Sequence, residues 1–299
     1  RLERLANPHA HTHSDANPLS YALTAFHRTD WRLLVHPPAH GAWNMAVDDA
    51  ILEGILRRES PATFRLYAWE PPCLSLGYAQ SFGDVDSQAL QALGWELVRR
   101  PTGGKAILHT DELTYAVIGP QSDPRLAGGV LESYQVLAQA LLRALHILQV
   151  PAYASPNPGL PGDSSTKGPV CFEVPSNYEI TVDGKKLIGS AQSRRREGVL
   201  QHGSLPLHGD ITRIVRGLSF PDEEQRAAAA QRLSQRALTL ETILGYRLEL
   251  HTVQQAFIQA FQETLNLNLV PAELTPQERD RALRLATHKY SSPEWNARI

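Results

Sequence analysis

The two cysteines are the strongest candidate nucleophiles in this chain of 299 residues. Cys171 opens the stretch CFEVPSNYEI after a Gly-Pro-rich segment, whereas Cys73 lies in the apolar stretch PPCLSLGY. A thiolate can attack an acyl donor, but a buried thiol behaves as a small hydrophobic group. The neighbouring residue types leave both interpretations open for Cys171.

The stretch RRPTGGKAILH, residues 99–109, combines paired glycines with cations. Gly103 and Gly104 allow backbone amides to approach a ligand closely. Arg100 and Lys105 beside them favour an anionic or strongly polar ligand. The glycine spacing differs from that of a phosphate-binding P-loop, and a hairpin turn with solvated charges is the alternative interpretation.

A second polar stretch, DGKKLIGSAQSRR, places Lys186 shortly after a turn and a run of small residues in mid-strand. That run is Gly189, Ser190 and Ala191. Glycine inside a strand often marks close approach by a ligand or another backbone. The small side chains leave a slot for a thin acyl chain, while a hairpin with two exposed lysines is the alternative.

Composition limits the classes of function. The net charge of −2 gives no global reason to bind nucleic acid or an anionic membrane. No apolar run approaches the ~20 residues that span a bilayer, and the polar N-terminus is not typical of a secretory signal. Two cysteines do not make a disulfide framework, so a reducing cytoplasm is expected. His109, His202 and His208 do not stand at metal-ligand spacing, so no metal is expected.

Periodicity predicts the elements of the first half. Val47, Ile51 and Ile55 indicate an amphipathic helix with Asn44 as its cap. The stretches TFRLYAW, PCLSLGY, WELVRR, KAILH and ELTYAVIG are typical of strands, and DVDSQALQALG of a helix that ends at Gly94.

The second half begins with a long predicted helix over Val130–Leu148. A hairpin turning at Asp183-Gly184 and the strand VLQHGSLPL follow, and the chain after Asp210 is predicted to be mostly helical. Thr275, with Pro276 after it and Glu278 three residues on, forms a capping box.

These elements predict an α+β fold in which a mixed β-sheet is flanked by helices and the C-terminal portion is helical. Residues 1–30 are polar and aperiodic, and we interpret them as a loosely attached arm. Residues 31–299 form the predicted catalytic domain. The Pro/Gly/Ser-rich stretch PAYASPNPGLPGDSSTKGP before Cys171 is typical of a functional or disordered loop.

Taken in order, the motifs RRPTGGKAILH, ELTYAV, KKLIGSAQSRR and LQHGSL resemble those of the lipoate-protein ligase and octanoyltransferase family. NMAVDDA, FRLYAWEPPCLSLGY and HKYSSPEWN extend the resemblance from Trp31 to Asn296. It implies the fold shared with biotin protein ligases and a reaction on the lysine of a lipoyl domain.

The family contains ATP-dependent ligases without a nucleophilic cysteine and transferases that take octanoate from an acyl carrier protein through a cysteine thioester. In one transferase branch a cysteine stands before the hairpin, where this chain has Cys171. Lys105 stands where ligases have a third glycine, and we expect no separate accessory domain after the motifs. The resemblance therefore favours the transferase branch. Thr110 replaces the Asp that usually follows the motif histidine, with Asp111 one position later.

The resemblance implies a set of site residues. Cys171 is the expected nucleophile, and Lys186 is expected to stabilise its thiolate, orient the acyl carbonyl and accept a proton. Cys73 is expected in the core. The expected substrate-binding residues are Arg100, Thr102, Gly103, Gly104, Lys105, His109, Gly189, Ser190, Ala191, Gln192, His202 and Gly203.

The expected partners are an octanoyl-acyl carrier protein and a lipoyl domain, such as glycine cleavage H protein or the acyltransferase subunit of a 2-oxoacid dehydrogenase. No cofactor is expected, because the donor is already a thioester. Three alternatives stay open: an ATP-dependent lipoate ligase, an amidotransferase between lipoyl domains, and an inactive protein that binds lipoyl domains.

Overall fold

The computed structural model describes residues 26–155 and 179–299. Cys171, most of the Pro/Gly/Ser-rich stretch and most of the predicted N-terminal arm therefore lie outside the described residues. The described part of the arm leads into the first strand, which begins two residues before Trp31.

An eight-stranded mixed sheet forms the centre of the fold, in the order β11-β1-β2-β6-β10-β9-β8-β7. The order of a three-stranded second sheet is β4-β3-β5. The strands are β1 (Thr29–Val35), β2 (Thr63–Tyr67), β3 (Cys73–Leu76), β4 (Glu96–Arg99), β5 (Ile107–His109), β6 (Glu112–Pro120), β7 (Tyr153–Ser155), β8 (Glu179–Val182), β9 (Lys185–Arg195), β10 (Gly198–Pro206) and β11 (Leu267–Pro271).

Helices cover both faces of the large sheet. They are α1 (Gly41–Arg57), α2 (Ser87–Leu93), α3 (Val130–Ile147), α4 (Glu223–Arg236), α5 (Leu240–Leu244), α6 (Leu250–Leu265), α7 (Pro276–Leu285) and α8 (Pro293–Asn296). One core lies between the sheet and α3 and α6, where Phe64 stacks on Phe261 at 3.9 Å between ring centroids. A second core lies under α1 and α7. The predicted α+β fold with a mixed, helix-flanked sheet is confirmed.

The cap predicted for α1 is wrong. The helix begins at Gly41, so Asn44 lies in its first turns. The Asn44 amide donates to the carbonyls of Ala39 and Ala68, and its oxygen accepts from Arg65. These contacts tie the start of α1 to the end of β2.

Two other local predictions are confirmed. The hairpin between β8 and β9 turns at Asp183 and Gly184, whose φ angles of 49° and 74° are those of a type I′ turn. The Thr275 hydroxyl accepts from the NH of Glu278, whose carboxylate accepts from the NH of Thr275, as expected of a capping box.

The C-terminal portion is not purely helical, because β11 adds an edge strand to the large sheet. It runs parallel to β1, with Thr29 opposite Leu267 and Leu33 opposite Pro271. Nothing local marks this short run as a strand, since its partner lies at the other end of the chain. None of the helices in the described residues is long and apolar enough to cross a membrane.

Candidate active site

The glycine loop between β4 and β5 is held in shape by two buried arginines. The Arg100 guanidinium donates to the carbonyls of Gly103 and Lys105, both at 2.8 Å, and to Ser75. Arg99 donates to the carbonyls of Gly77 and Gln80. Arg100 therefore organises the loop through contacts with the protein, and its predicted contact with substrate stays a prediction.

The loop packs closely on the segment after β3. A Cβ on Gly77 would lie 1.8 Å from the carbonyl oxygen of Gly104, so only glycine fits there. Gly104 has a φ of 92°, which also favours glycine. A Cβ on Gly103, in contrast, would meet no atom of the described residues within 4 Å.

A pocket lies between this loop, β9, β10 and α1, with an empty volume of about 410 Å³ that includes its opening to solvent. Its rim is formed by the exposed Gly104 and the half-buried Ser190 and Ala191, and its floor by the buried Met45 and Tyr67. The pocket is lined by Met45, Tyr67, Trp69, Arg100, Gly104, Ile107, His109, Thr114, Gly189, Ser190, Ala191, His202, Gly203 and Ser204.

His202 in the pocket wall is fixed between an acid and a hydroxyl. Its Nδ1 lies 3.3 Å from Asp48 Oδ2, and its Nε2 lies 2.6 Å from Thr102 Oγ1. Burial lowers the pKa of His202, although Asp48 acts in the opposite direction. A neutral imidazole that donates to Asp48 and accepts from Thr102 satisfies all three groups.

Asp48 itself is fully buried and ionised. It accepts from Arg65 at 2.6 Å and from the Tyr67 hydroxyl at 2.9 Å. Burial alone would raise the pKa of Asp48, but Arg65 and His202 outweigh this effect and lower it.

His109 occupies a similar setting elsewhere in the pocket wall. Its Nδ1 lies 2.7 Å from Glu112 Oε1, and its Nε2 lies 2.8 Å from Ser75 Oγ. Its ring stacks on Trp69 at 4.0 Å. The same Glu112 oxygen also accepts from the hydroxyls of Thr114 and Ser204. The polar groups of this wall are therefore bonded to one another, which leaves an apolar surface toward the pocket.

The small residues of β9 and β10 allow the sheet to pack tightly behind the pocket. The Ser190 hydroxyl is 2.7 Å from the Tyr115 hydroxyl, which also accepts from Gln201. A Cβ on Gly203 would lie 2.6 Å from both the Tyr115 ring and Ser190 Oγ. Gln192 donates to Gln201 and extends this network toward α3.

The structure thus brings most of the predicted site residues together. Eight of them line the pocket: Arg100, Gly104, His109, Gly189, Ser190, Ala191, His202 and Gly203. Gly103, Lys105 and Gln192 line an adjoining open cleft that shares Gly104 with the pocket. Thr102 supports the pocket through His202. Lys186 lies on β9, three residues before Gly189, and its Nζ is 2.9 Å from Glu179 Oε1.

The structure describes Cys73 but not Cys171. Cys73 is fully buried on β3, and burial, with smaller contributions from Glu96 and Glu112, raises the pKa of its thiol. These properties agree with the predicted core role. Cys171 lies outside the described residues, so its role as nucleophile stays a prediction.

The sequence analysis did not predict the carboxylates that contact the two histidines or the aromatic residues of the pocket wall. Asp48 and Glu112 determine the setting of His202 and His109, while Tyr67 and Trp69 form the inner wall. A signal for Asp48 was present, because it stands beside Val47 on the apolar side of the predicted helix. A carboxylate placed there has to be paired when buried.

Asp111, next to the unusual Thr110, points away from the pocket. Its carboxylate accepts from Arg213 in the 3₁₀ segment Ile211–Gly217. Its backbone carbonyl accepts from the NH of Leu207 at 2.8 Å. In this chain the residue therefore ties the loop to the segment after β10.

His36 and His40 stand four residues apart, a spacing that can suit two ligands of one metal ion. Each of them, however, has another partner. His36 accepts from Arg65 and His40 pairs with Glu96. Among the described residues, no group of three or more His, Cys, Asp or Glu side chains could hold a metal ion.

Comparison with protein families matches residues 40–262 to the lipoyl protein ligase A/B catalytic domain. The chain belongs to this family. The resemblance inferred from the motifs is thereby confirmed, and the match spans the glycine loop, β9 and β10 together with the segment that carries Cys171.

Two curated relatives of this chain are octanoyltransferases. An octanoyltransferase LipM of Kyrpidia tusciae is 42% identical over 272 residues, which cover 90% of this chain and 98% of that protein. The octanoyltransferase LipM of Bacillus subtilis is 35% identical over 270 residues, covering 89% of this chain and 97% of the relative.

Among solved structures, the bipartite lipoate protein ligase of Thermoplasma acidophilum superposes with a TM-score of 0.74 at 25% identity, covering 91% of this chain and 97% of that one. A lipoate-protein ligase A bound with ATP gives a TM-score of 0.73 at 23% identity, covering 90% and 99%. The second likeness concerns the fold alone.

Proposed function

We propose that this chain is an octanoyltransferase of lipoate biosynthesis. It takes octanoyl from an octanoyl-acyl carrier protein onto Cys171 and passes it to the lysine of a lipoyl domain, such as that of glycine cleavage H protein or a 2-oxoacid dehydrogenase acyltransferase subunit. The narrow pocket whose polar wall groups are bonded to protein partners carries the proposal, because such a pocket suits an alkyl chain. The near full-length similarity to octanoyltransferases supports it.

In the first half-reaction, the Cys171 thiolate attacks the carbonyl carbon of the donor thioester. The new carbon–sulfur bond forms as the bond to the carrier sulfur breaks, and the leaving carrier thiolate takes a proton from the Lys186 ammonium, which becomes a neutral amine. The donor is already activated, so this step consumes no ATP. Lys186 on β9 is the proposed cation that favours the thiolate and orients the acyl carbonyl.

In the second half-reaction, the lysine amine of the lipoyl domain attacks the octanoyl-Cys171 thioester. A carbon–nitrogen bond forms, the bond to the Cys171 sulfur breaks, and the amine loses a proton that Lys186 is proposed to accept. Two half-reactions on one cysteine predict ping-pong kinetics.

The pocket is proposed to hold the octanoyl chain, with Gly189, Ser190 and Ala191 forming the slot through which it enters. Each buried methylene contributes ~0.8 kcal/mol, so six methylenes contribute roughly 5 kcal/mol before ordering costs. That is enough to select octanoyl over short acyl groups. We place the reaction in the cytoplasm, where thiols are kept reduced.

Intact-mass spectrometry tests this function. Mixed with octanoyl carrier protein and no acceptor, the protein should gain one octanoyl group on Cys171. Neutral hydroxylamine should remove the group, because it cleaves a thioester and not an amide. A lipoyl domain should then discharge it without ATP. Absence of any mass gain with an active preparation would contradict the proposal.

The same experiment separates the alternatives. An ATP-dependent ligase would require ATP and the free acid and would form no protein-bound thioester. An amidotransferase would become acylated from an octanoylated lipoyl domain and only poorly from the carrier. An inactive binding protein would transfer nothing from any donor.

A further inference from the structure

Basic side chains form a band that begins at the glycine loop and crosses α1 and α7. The open cleft beside the pocket is lined by Lys105, Arg195 and Lys289. A neighbouring groove shares Lys289 with it and is also lined by Arg57 and Arg284, together with Arg281 and His288. We refer to Lys105, Arg195, Lys289, His288, Arg284 and Arg57 as the basic band.

Charge in the band is locally concentrated. Among the described residues, the cleft lining contains three cations and no carboxylate, and the groove lining contains one carboxylate, Glu53. The Glu53 carboxylate lies 3.5 Å from the Arg281 guanidinium, so it pairs with a cation that is outside the basic band. Since the whole chain has a net charge of −2, the band is a feature of one face and not of the composition.

Buried groups fix the inner end of the band. Asp49 is fully buried and accepts from Arg195 at 2.8 Å and from Lys289 at 2.6 Å. The Lys289 ammonium also lies 4.3 Å from the centroid of the Trp295 ring. These contacts hold two cations at the cleft before any ligand arrives, which reduces the entropic cost of binding an anion.

The outer end of the band is exposed. Arg57 ends α1 and Arg284 lies in the last turn of α7, and both are exposed to solvent. In the described residues neither side chain forms an ion pair. Exposed, unpaired cations contribute little to stability but steer and orient an oppositely charged partner.

We propose that the basic band is the docking surface for the acyl donor, a carrier protein with a negatively charged surface. The inference rests on the proposed function. The cleft receives the anionic phosphodiester of the phosphopantetheine arm, and Arg57 and Arg284 meet acidic side chains of the carrier. Because cleft and pocket share Gly104, an arm that lies in the cleft delivers its acyl chain at the rim of the pocket.

The length of the phosphopantetheine arm favours the acyl carrier protein over the lipoyl domain as the partner that binds the basic band. The phosphopantetheine arm is several times longer than a lysine side chain, so a carrier can dock away from the reacting carbonyl. An acceptor domain has to present its lysine directly at the carbonyl. The band begins at the pocket rim and extends away from it over α7, which suits the longer arm.

The test uses the full chain with Arg57→Glu and Arg284→Glu combined, two positions outside the pocket. A matched control reverses two exposed cations elsewhere, Arg28→Glu and Arg216→Glu. Thioester formation on Cys171 is measured with octanoyl carrier protein and with octanoyl-pantetheine, which lacks both the phosphate and the protein. Discharge of the preloaded enzyme by a lipoyl domain is measured separately.

The band variant should raise the KM for octanoyl carrier protein by roughly tenfold or more at low salt, with the difference shrinking as ionic strength rises. Rates with octanoyl-pantetheine and with the lipoyl domain should match the wild type. An unchanged KM for the carrier, an equal loss in the control, a loss with octanoyl-pantetheine, or a loss confined to the lipoyl domain would each overturn the docking assignment. Failure of the wild type to use the carrier would instead contradict the proposed function.

Discussion

The Lys186 ammonium lies 2.9 Å from the Glu179 carboxylate, across the hairpin formed by β8 and β9. The exposed fractions of the two side chains are only 6% and 12%, so the pair is held at the buried side of the hairpin. Neighbouring Lys185 points to the other side, where its Nζ is 3.5 Å from the carbonyl of Ser234. This is the alternation of strand side chains that the KK pair predicts.

Replacing Lys186 by Ala should reduce octanoyl transfer by about 10²-fold or more, because the cation proposed to act at the reacting thioester is lost. Lys185→Ala should retain most activity, because its side chain lies on the other face of the strand. Initial rates with octanoyl carrier protein and a lipoyl domain compare the two, after circular dichroism confirms folding. Equal losses in two folded variants would contradict the role proposed for Lys186.

Cys171→Ala should abolish thioester formation, whereas Cys73→Ala should keep most of it. The Cys73 thiol is buried and its pKa is raised, so it is neither accessible nor ionised at neutral pH. Truncating it should instead lower the free energy of unfolding by about 1 kcal/mol, since a small cavity remains on β3. Mass spectrometry and urea denaturation measure the two effects. An inactive, folded Cys73→Ala beside an active Cys171→Ala would reverse the assignment.

Met45→Ala should shift the preference toward longer acyl chains. Met45 is 1% exposed and lines the pocket, and we expect its side chain to limit the length of the acyl site. Room for two more methylenes corresponds to roughly a fifteenfold gain for decanoyl relative to octanoyl. Val47→Ala is the control, because Val47 is buried on the same helix and does not line the pocket. Identical chain-length profiles for the two variants would place the end of the acyl site elsewhere.

Asn296→Ala should weaken both stability and donor binding. The Asn296 side chain accepts from the backbone NH of Arg99 at 2.7 Å, and the Trp295 indole donates to the Arg99 carbonyl at 2.8 Å. Losing the Asn296 acceptor leaves a buried NH unsatisfied, at a cost of about 1–3 kcal/mol in the free energy of unfolding. Asn268→Ala, which removes an exposed bond to Asp30, is the control. Thermal denaturation and KM measurements should show a loss only for Asn296→Ala.

The free energy of unfolding should decrease at acidic pH because His36 is protonated more easily in the unfolded chain. Burial, followed by the charge of Arg65, lowers the pKa of His36 from 6.5 to about 4. The unfolded chain then binds more protons than the folded one between these two values, so the free energy of unfolding decreases as pH falls through this window. The slope is at most about 1.4 kcal/mol per pH unit for one group. His36→Asn should flatten the dependence measured by denaturant titration at pH 4–7, and an unchanged slope would assign it to other groups.

Elements defined by local signals could be predicted from the sequence. The Asp183-Gly184 turn, the Thr275 capping box and the long helix α3 each depend on residues a few positions apart. Eight of the substrate-binding residues that the family resemblance implied line the pocket, and their contact with substrate stays a prediction.

Features that depend on distant partners could not be predicted in the same way. Asn44 has the side chain of a helix cap, yet Arg65 and the Ala68 carbonyl bind it inside α1. β11 is a strand because β1 provides its hydrogen bonds. The carboxylates at positions 48 and 112 gain their roles only when β5, β6 and β10 bring the histidines to them.

The bond between Arg99 and Asn296 joins positions 197 residues apart in the sequence. During synthesis the glycine loop therefore emerges long before the residues that support it. At about 5–20 residues per second, the interval is roughly 10–40 s. A ribosome-bound chain would pass through this interval with its loop incomplete, so the enzyme would mature after translation of α8 and not progressively along the chain.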